Sequence, residues 1–302
     1  MEQKKYMSIT RYGHKTTMNV LNLGDEIVIQ EKIDGANASF TFDLESQQMK
    51  AFSRNRELQE GNTLGGFYGW VNETINGEQL LPNHIYFGEW LNPHKVKYPE
   101  YQKQFFLFDV YSIEEGLYKP FELVKEEATR LGLNLVPVLF EGKFESFEQL
   151  QSYVGQTKLG GMLGDIPTGE GIVVKNASYI NRHGAQMFVK LVTSAFREVQ
   201  QQKAPKDPKT ASVEQVFVNS CMTSARVEKI LYKLVDEGVL DEQFGIEDMG
   251  TILKNISPRL YDDMMKEEAD MLPEGFDDKQ IRKAIARSVA NVVKEILNAK
   301  QM

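Results

Sequence analysis

The sequence predicts an α+β fold in which antiparallel sheets are flanked by helices, followed by a small all-helical region. Two observations support this prediction. Short apolar segments rich in aromatic and β-branched residues fill the first two thirds of the chain, and Gly, Asn, Asp and Pro separate them. Beyond about residue 200, apolar residues recur every three or four positions, which is the spacing of amphipathic helices.

The strand-rich part contains seven predicted strands and two predicted helices. The predicted strands are IVIQEKI, ASFTF, MKAFSR, HIYFGEWL, FFLFDVYS, GIVVKN and MFVKLV. KPFELVKEEATRLG predicts a helix with Pro120 near its start and Gly132 at its end. ESFEQLQSYVG predicts a second helix with a weaker pattern. Because these helices interrupt a series of strands, the pattern is typical of antiparallel sheets with helices packed beside them.

A change in composition predicts two domains. The segment QQQKAPKDPKTAS is rich in lysine and proline and poor in apolar residues, which is typical of a linker. We therefore predict one domain over residues 1–202, a linker over 203–211 and a helical domain over 212–302. The predicted helices of the second domain lie in ARVEKILYKLVDEGVL, MGTILKNI, RLYDDMMKEEADML and KQIRKAIARSVANVVKEILNAK.

Composition excludes several classes of protein. The 302 residues carry a net charge of −8, which argues against a protein that coats nucleic acid nonspecifically, although local basic contacts remain compatible with it. No apolar run is long enough to span a bilayer, and MEQKKYMSIT lacks the apolar core of a signal peptide. Cys221 is the single cysteine, so an intrachain disulfide is excluded. We expect a cytoplasmic protein with no membrane partner and with Cys221 in its core.

The stretch EKIDGANASF places Lys32 in the pattern K-x-D-G, where one predicted strand ends and another follows after the turn Asp34-Gly35. Taken alone, this short pattern also fits an ordinary hairpin with a surface lysine.

Further charged residues lie at the ends of the other apolar strands. Glu89 follows IYFG, Asp109 follows FFLF, and Glu170 precedes GIVVKN. A carboxylate in an apolar strand is costly to bury unless it is paired or binds a metal, and carboxylate oxygens suit Mg²⁺ or Mn²⁺. Arg54 and Lys190 add cations that can bind phosphate. This combination meets the needs of covalent nucleotidyl transfer, in which a lysine amine attacks a nucleotide phosphorus.

The order of these motifs resembles the covalent nucleotidyltransferase superfamily and, within it, the ATP-dependent RNA ligase 2 family of phage type. The similarity covers nearly the whole chain. The matching segments are KKYMSI, EKIDGAN, SRNR, GGFYG, FGEWL, FFLFDVYS, GEGIVVKN, MFVKLVTSAFRE and SARVEKILYKLVDEG. The resemblance implies a three-step reaction: Lys32 forms a phosphoramidate with AMP, the AMP passes to an RNA 5′-phosphate, and a 3′-OH displaces the AMP.

The resemblance also implies roles for individual residues around the nucleotide. Glu31 is expected to help bind the nucleotide, Glu89 to bind its ribose and Phe108 to stack on its adenine. Glu170 and Asp109 are expected at the metal, with Asp109 supporting the site. ATP and Mg²⁺ or Mn²⁺ are the cofactors that this assignment implies.

Two further expectations concern the phosphate and the RNA. Lys190 is expected to contact the AMP phosphate, while Asn37 and Arg54 serve the steps at the RNA end. GGFYG is expected to form a flexible loop that places Phe67 or Tyr68 near the site. The expected partners are RNA ends in a nicked duplex, and the expected oligomeric state is a monomer.

The last motif departs from the family pattern. That motif usually has the form K-x-K, whereas this chain has Lys190, Leu191 and Val192. The valine removes one cation expected to bind phosphate. Lys175, in VVKN, is a candidate replacement as a cofactor-binding residue.

Other functions remain open on the sequence alone. DNA ligases and mRNA capping enzymes share K-x-D-G, but they usually carry a C-terminal β-barrel where this chain has a helical pattern. A nucleotide or RNA-end binder without catalysis, weakened at Val192, is the alternative from another class. The four histidines (His14, His84, His94 and His183) have no metal-ligand spacing, and we assign them no catalytic role.

Overall fold

The computed structural model describes residues 3–181, 183–197 and 212–300. The chain divides into two compact units, Met1–Thr193 and Ser194–Met302. The α+β architecture with antiparallel sheets and a helical C-terminal part is confirmed. The predicted linker, 203–211, lies outside the described residues, so the predicted domain boundaries stay a prediction.

Thirteen strands and seven α-helices make up the described part of the chain. The strands are β1 (Thr10–Arg11), β2 (Glu26–Lys32), β3 (Ala36–Asp43), β4 (Gln48–Ser53), β5 (His84–Trp90), β6 (Phe105–Ser112), β7 (Leu117–Tyr118), β8 (Asn134–Leu135), β9 (Val138–Lys143), β10 (Met162–Leu163), β11 (Ile166–Pro167), β12 (Gly171–Ile180) and β13 (Gln186–Val192). The helices are α1 (Phe67–Thr74), α2 (Phe121–Leu131), α3 (Phe147–Tyr153), α4 (Val213–Cys221), α5 (Ser224–Asp236), α6 (Met249–Glu267) and α7 (Asp278–Lys300).

Two sheets build the first unit. Sheet A has the strand order β1-β13-β12-β2-β9, and all its pairs are antiparallel except β1 with β13. Sheet B has the order β4-β3-β5-β6-β7, with β8 added parallel to β6. β10 and β11 form a separate hairpin. The seven predicted strands all lie in sheets A and B.

Each sheet buries one apolar face. On sheet A, Ile29, Ile172 and Val189 pack in a cluster with Leu150 of α3. On sheet B, one face packs against α1 and α2 through a large cluster that includes Phe40. α2 ends at Gly132, whose φ of 66° is the left-handed conformation that glycine adopts at helix ends. The other face of each sheet carries the polar residues described below, and on sheet B it also carries a smaller apolar cluster that includes Phe87 and Tyr118.

The second unit is a bundle of α4 to α7 around its own apolar core. Cys221, Ile256 and Ile285 are fully buried members of that core, so the expected core position of Cys221 is confirmed. Arg226 is also fully buried, and its guanidinium lies 2.6 Å from carboxylate oxygens of both Asp263 and Glu268. Within the described ranges, no helix combines the length and the apolar character that crossing a membrane requires.

Candidate active site

Strand register places the lysines of sheet A on one face. Directly paired residues point to the same side of a sheet, and alternate residues of a strand share a face. Lys32 pairs with Gly171, which pairs with Val192. Two residues along each strand, the next row on this face contains Gln30, Val173, Lys190 and Arg11.

The polar residues of sheet B also form a row. Asn37 of β3 pairs with Glu89 of β5, which pairs with Phe106 of β6. On the other side of Asn37, Arg54 follows the last residue of β4 directly. Two residues further along the strands, Phe87 pairs with Asp109 on the same face. The predicted residues Asn37, Glu89 and Asp109 therefore share the face of sheet B that lies opposite its α1–α2 core.

Lys32 and Glu170 meet where these elements converge. Lys32 Nζ lies 2.5 Å from Glu170 Oε2, and both side chains are largely buried, at 25% and 13% exposure. Burial raises the pKa of Glu170, and the positive charge of Lys32 partly offsets that rise. Lys190 lies in the next row from Lys32 on the same face of sheet A, and its positive charge also acts against the rise in the Glu170 pKa. The structure thus brings together three of the predicted residues.

Asp34 and Gly35 shape the turn after Lys32. The Val96 N–H donates to Asp34 Oδ2 at 2.8 Å, and His94 Nδ1 lies 3.4 Å from Asp34 Oδ1. Burial alone would raise the pKa of Asp34, but the hydrogen bonds and the charge of His94 hold it below its ordinary value. A Cβ at Gly35 would lie 2.7 Å from the Trp90 carbonyl oxygen, so only glycine fits there. K-x-D-G is therefore a half-buried connection between sheet A and sheet B, and not an ordinary surface hairpin.

Glu89 is a carboxyl group with a raised pKa. Its Oε1 accepts a hydrogen bond from the Gly35 N–H at 3.2 Å. Burial raises the pKa of Glu89 to about 8, and the charges of Lys32 and His94 partly offset the rise. Glu89, Lys32 and Glu170 therefore interact electrostatically within one cleft between the sheets.

Glu31 points away from this cleft. It is 1% exposed, and its two carboxylate oxygens accept hydrogen bonds of 2.7 Å from Thr157 Oγ1 and from the Lys158 N–H. Burial raises the pKa of Glu31, and these hydrogen bonds act against the rise. The side chain predicted to help bind nucleotide instead anchors the segment before Glu170, because strand alternation puts it on the face opposite Lys32.

Asp109 and Lys175 form a buried pair that joins the two sheets. Lys175 Nζ lies 2.8 Å from Asp109 Oδ1 and 2.6 Å from the Phe108 carbonyl oxygen, and the Tyr6 hydroxyl donates to Asp109 Oδ2 at 2.5 Å. Lys175 is 5% exposed and Asp109 is 2% exposed. These contacts bear on two expectations. Lys175 neutralises Asp109, which does not support a phosphate-binding role, and both Asp109 oxygens already have protein donors, which does not support a metal-binding role.

The GGFYG segment is not a flexible loop. It begins α1, with Gly65 and Gly66 in the left-handed region at φ 59° and 96°. Phe67 is fully buried and packs on the core of sheet B, while Tyr68 is half-buried beside that core. Phe67 and Val71 are four residues apart, so both are buried on one face of the helix. This helical spacing explains why the expectation of a flexible loop was wrong.

Three residues of the site were not predicted from the sequence. Tyr6 binds Asp109, His94 pairs with Asp34, and the Tyr98 hydroxyl accepts a hydrogen bond from the Asp34 N–H at 3.1 Å. The cost of burying Asp34 and Asp109 indicated that each needs partners, but it did not indicate which residues supply them.

The carboxylates of the site fit a divalent cation that takes most of its ligands from water and substrate. In the part of the chain that the structure describes, no group of three or more His, Cys, Asp or Glu side chains is arranged to hold a metal ion. Mg²⁺ commonly uses one or two carboxylates and takes its remaining ligands from water and substrate phosphates. Glu170, with Glu89 nearby, fits that mode.

The chain is similar to a known protein family and to several solved structures. A model of the RNA ligase family matches residues 25–192, which include Lys32, Glu89, Glu170 and Lys190. Solved structures similar to the chain include a Naegleria gruberi RNA ligase with PPi, at 20% identity and a TM-score of 0.48, covering 64% of this chain and 57% of that chain. A mutant of that ligase with AMP and Mn matches at 20% identity and a TM-score of 0.47, covering 64% and 56%. No match was found among curated proteins.

The chain therefore spans less than two thirds of the length of the ligase structures that it resembles. The family model covers more than half of the chain, from the start of β2 to the end of β13. On this match, the chain belongs to the RNA ligase family.

Proposed function

We propose that this protein is an ATP-dependent RNA ligase that joins a 3′-OH and a 5′-phosphate through a covalent lysyl-AMP intermediate. The observation that carries the proposal is the contact between Lys32 and Glu170 in a cleft that also holds Glu89 and Lys190. A lysine that is 25% exposed, next to a buried carboxylate, is placed like a reacting group.

Lys32 is the proposed nucleophile of the first step. Its Nζ attacks the α-phosphorus of ATP, a P–N bond forms, the bond to the pyrophosphate oxygen breaks and pyrophosphate leaves. The amine must lose a proton to react, and Glu170 Oε2, at 2.5 Å, is within hydrogen-bond reach of that proton. Lys190 supplies positive charge on the same face of sheet A, where it stabilises the phosphate.

A divalent cation, Mg²⁺ or Mn²⁺, would be held by Glu170 with Glu89 nearby and by the phosphates of ATP. When bound, it would neutralise phosphate charge and favour pyrophosphate as a leaving group. Asp109 is left out of this set because Lys175 and Tyr6 occupy its carboxylate.

Other cleft residues would bind the remaining parts of the substrates. Glu89 would bind the ribose and Phe108 would stack on adenine, since both lie on the cleft side of sheet B. Asn37 and Arg54, at the β3–β4 side of the same row, would act on the RNA end. These two residues would serve the transfer of AMP to the 5′-phosphate and the attack by the 3′-OH.

The proposed substrate is a nicked duplex containing RNA, and the proposed active form is a monomer. The helical unit would contribute nucleic-acid contacts, with local basic residues compensating for the net charge of −8. The proposed setting is the cytoplasm, where ATP is available.

Sealing of nicked duplexes tests the proposal. The substrates carry ribose or deoxyribose on each side of the nick, with ATP and Mg²⁺ supplied. An RNA ligase should seal ribose-containing nicks, release AMP and lose this activity in Lys32→Ala. Equal sealing of all-DNA nicks would instead identify a DNA sealer, and binding without sealing would identify the binder weakened at Val192.

A further inference from the structure

The N-terminal segment lies against the cleft side of sheet B. We call residues 3–9 the strap. Gln3 Nε2 donates to the Ser53 carbonyl oxygen at 2.8 Å, Tyr6 binds Asp109, and the Met7 N–H donates to the Tyr118 hydroxyl at 2.9 Å. The strap therefore contacts β4, β6 and β7.

Tyr6 is the most buried residue of the strap. It is 5% exposed, and its ring centroid lies 4.8 Å from that of Phe108, 5.3 Å from Phe87 and 5.2 Å from Tyr118. Tyr6 thus contacts Phe108 through its ring and Asp109, the next residue, through its hydroxyl.

Phe108 depends on such contacts because it lies at an irregularity of the sheet. Phe87 pairs with Asp109 and Gly88 pairs with Leu107, so β6 has one extra residue at this point. In the described ladder between β5 and β6, Phe108 has no cross-strand partner. Bulges of this kind redirect a side chain and are common beside active sites.

Lys175 completes the set of contacts around Phe108. Its Nζ binds the Phe108 carbonyl oxygen and the Asp109 carboxylate, and it lies 5.9 Å from the centre of the Phe108 ring. Tyr6 and Lys175 therefore both lie beside the Phe108 ring and both bind the Asp109 carboxylate. Lys175 also binds the Phe108 carbonyl oxygen.

We propose that Tyr6 is a positioning residue that sets the Phe108 ring for recognition of the nucleotide base, acting through Asp109 and Lys175. This inference rests on the proposed function, in which Phe108 stacks on adenine. Without the Tyr6 hydroxyl, Asp109 Oδ2 loses its 2.5 Å donor in a buried place, and its pairing with Lys175 must readjust.

The charges of the pair make that donor important. Burial raises the pKa of Asp109 and lowers the pKa of Lys175, so burial disfavours the charged form of both groups. The Tyr6 hydroxyl stabilises the carboxylate and thereby keeps Lys175 attracted to it.

Tyr6→Phe tests the inference, with Tyr118→Phe as its matched control. Both variants remove one phenolic oxygen from the same aromatic cluster, but only Tyr6 donates to Asp109. ATP binding to the full chain is measured by calorimetry, and the dependence of enzyme–AMP formation on ATP concentration is measured in parallel. Inorganic tripolyphosphate serves as a competing ligand that has phosphates but no base.

Tyr6→Phe should weaken ATP binding and raise the half-saturating ATP concentration on the order of tenfold, with the maximal rate nearly unchanged. Inhibition by tripolyphosphate should stay as in the wild type, and Tyr118→Phe should resemble the wild type throughout. In a Phe108→Leu background, Tyr6→Phe should add no further loss of ATP binding, because the aromatic ring that Tyr6 positions is already absent.

Equal ATP affinities for Tyr6→Phe and Tyr118→Phe would overturn the inference while leaving the proposed function intact. Equal weakening of ATP and tripolyphosphate by Tyr6→Phe would also overturn it, since the effect would not concern the base. If the wild type bound no ATP, the proposed function itself would fail.

Discussion

Lys32 Nζ and Glu170 Oε2 lie 2.5 Å apart, although the two residues are separated by 138 positions in the sequence. The contact follows from strand register, because Lys32 pairs with Gly171, the residue directly after Glu170. Gly171 itself fits no side chain, since a Cβ there would lie 2.1 Å from the Leu191 carbonyl oxygen. The absence of a side chain at Gly171 therefore lets the backbones of β12 and β13 approach closely beside Lys32.

Glu170→Gln should reduce the rate of enzyme–AMP formation by roughly 100-fold, because it removes the buried charge that contacts the nucleophile and would hold the metal. The rate is measured by single-turnover labelling with ATP. Glu141→Gln is the control, since Glu141 forms a partly exposed ion pair with Lys125. Equal rates for both variants would show that Glu170 has no role in this step.

Stability should depend on pH through Glu89. Burial raises the pKa of this carboxyl group from its ordinary value to about 8. Protonated Glu89 stabilises the folded state, because that state holds the proton more tightly than the unfolded chain does. This stabilisation is complete below the pKa that Glu89 has in the unfolded chain, near 4.5, and is lost as the pH rises through 8.

Glu89→Gln removes this titration. Its free energy of unfolding, relative to the wild type, should therefore rise by roughly 4 kcal/mol between pH 5 and pH 9. Urea unfolding at both pH values measures the difference. A difference that did not change with pH would mean that the Glu89 pKa is not raised in the folded protein.

Val192→Lys should accelerate enzyme–AMP formation about fivefold, because a second cation about 10 Å from Lys32 would attract the triphosphate with ~1 kcal/mol. Val192→Met is the control, since it adds length without charge. The distance follows from two strand spacings, with Gly171 between the two positions. Identical rates for the lysine and methionine variants would indicate that another basic residue already fills this role.

Arg226→Met should destabilise the helical unit by about 3–5 kcal/mol, because it leaves the buried carboxylates of Asp263 and Glu268 without their cation. Thermal or urea unfolding measures the loss. Arg282→Met is the control, since Arg282 pairs with Asp278 at the surface, and this variant should stay near the wild type. Equal destabilisation of both variants would contradict the importance of the buried pairs.

Much of the fold was predictable because alternation and apolar runs are local signals. β2, β3, β5 and β6 each appear where aromatic and β-branched residues concentrate. α2 appears between Pro120 and Gly132 as predicted. α1 was not predicted, because Gly65-Gly66 and the aromatic pair indicated a loop, and burial of Phe67 against sheet B outweighed that local signal.

The candidate site was predictable as a set of residues but not as a set of contacts. The positions of Lys32, Glu89 and Glu170 at strand ends indicated one cleft. In the structure Lys32 contacts Glu170, and the N–H of Gly35, three residues after Lys32, donates to Glu89. The roles suggested for Glu31, Asp109 and Lys175 depended on which face or partner each side chain takes. Those partners come from distant segments, such as Thr157 for Glu31 and Tyr6 for Asp109, which no local pattern specifies.

The most direct test of the proposed reaction is transfer of label from α-labelled ATP to the protein in the presence of Mg²⁺. We expect one adenylate per chain, released by acid as is usual for a P–N bond, mapped by mass spectrometry to Lys32 and absent in Lys32→Ala and Lys32→Arg. Label found on another residue, or a wild-type chain that binds ATP but never becomes labelled, would contradict it.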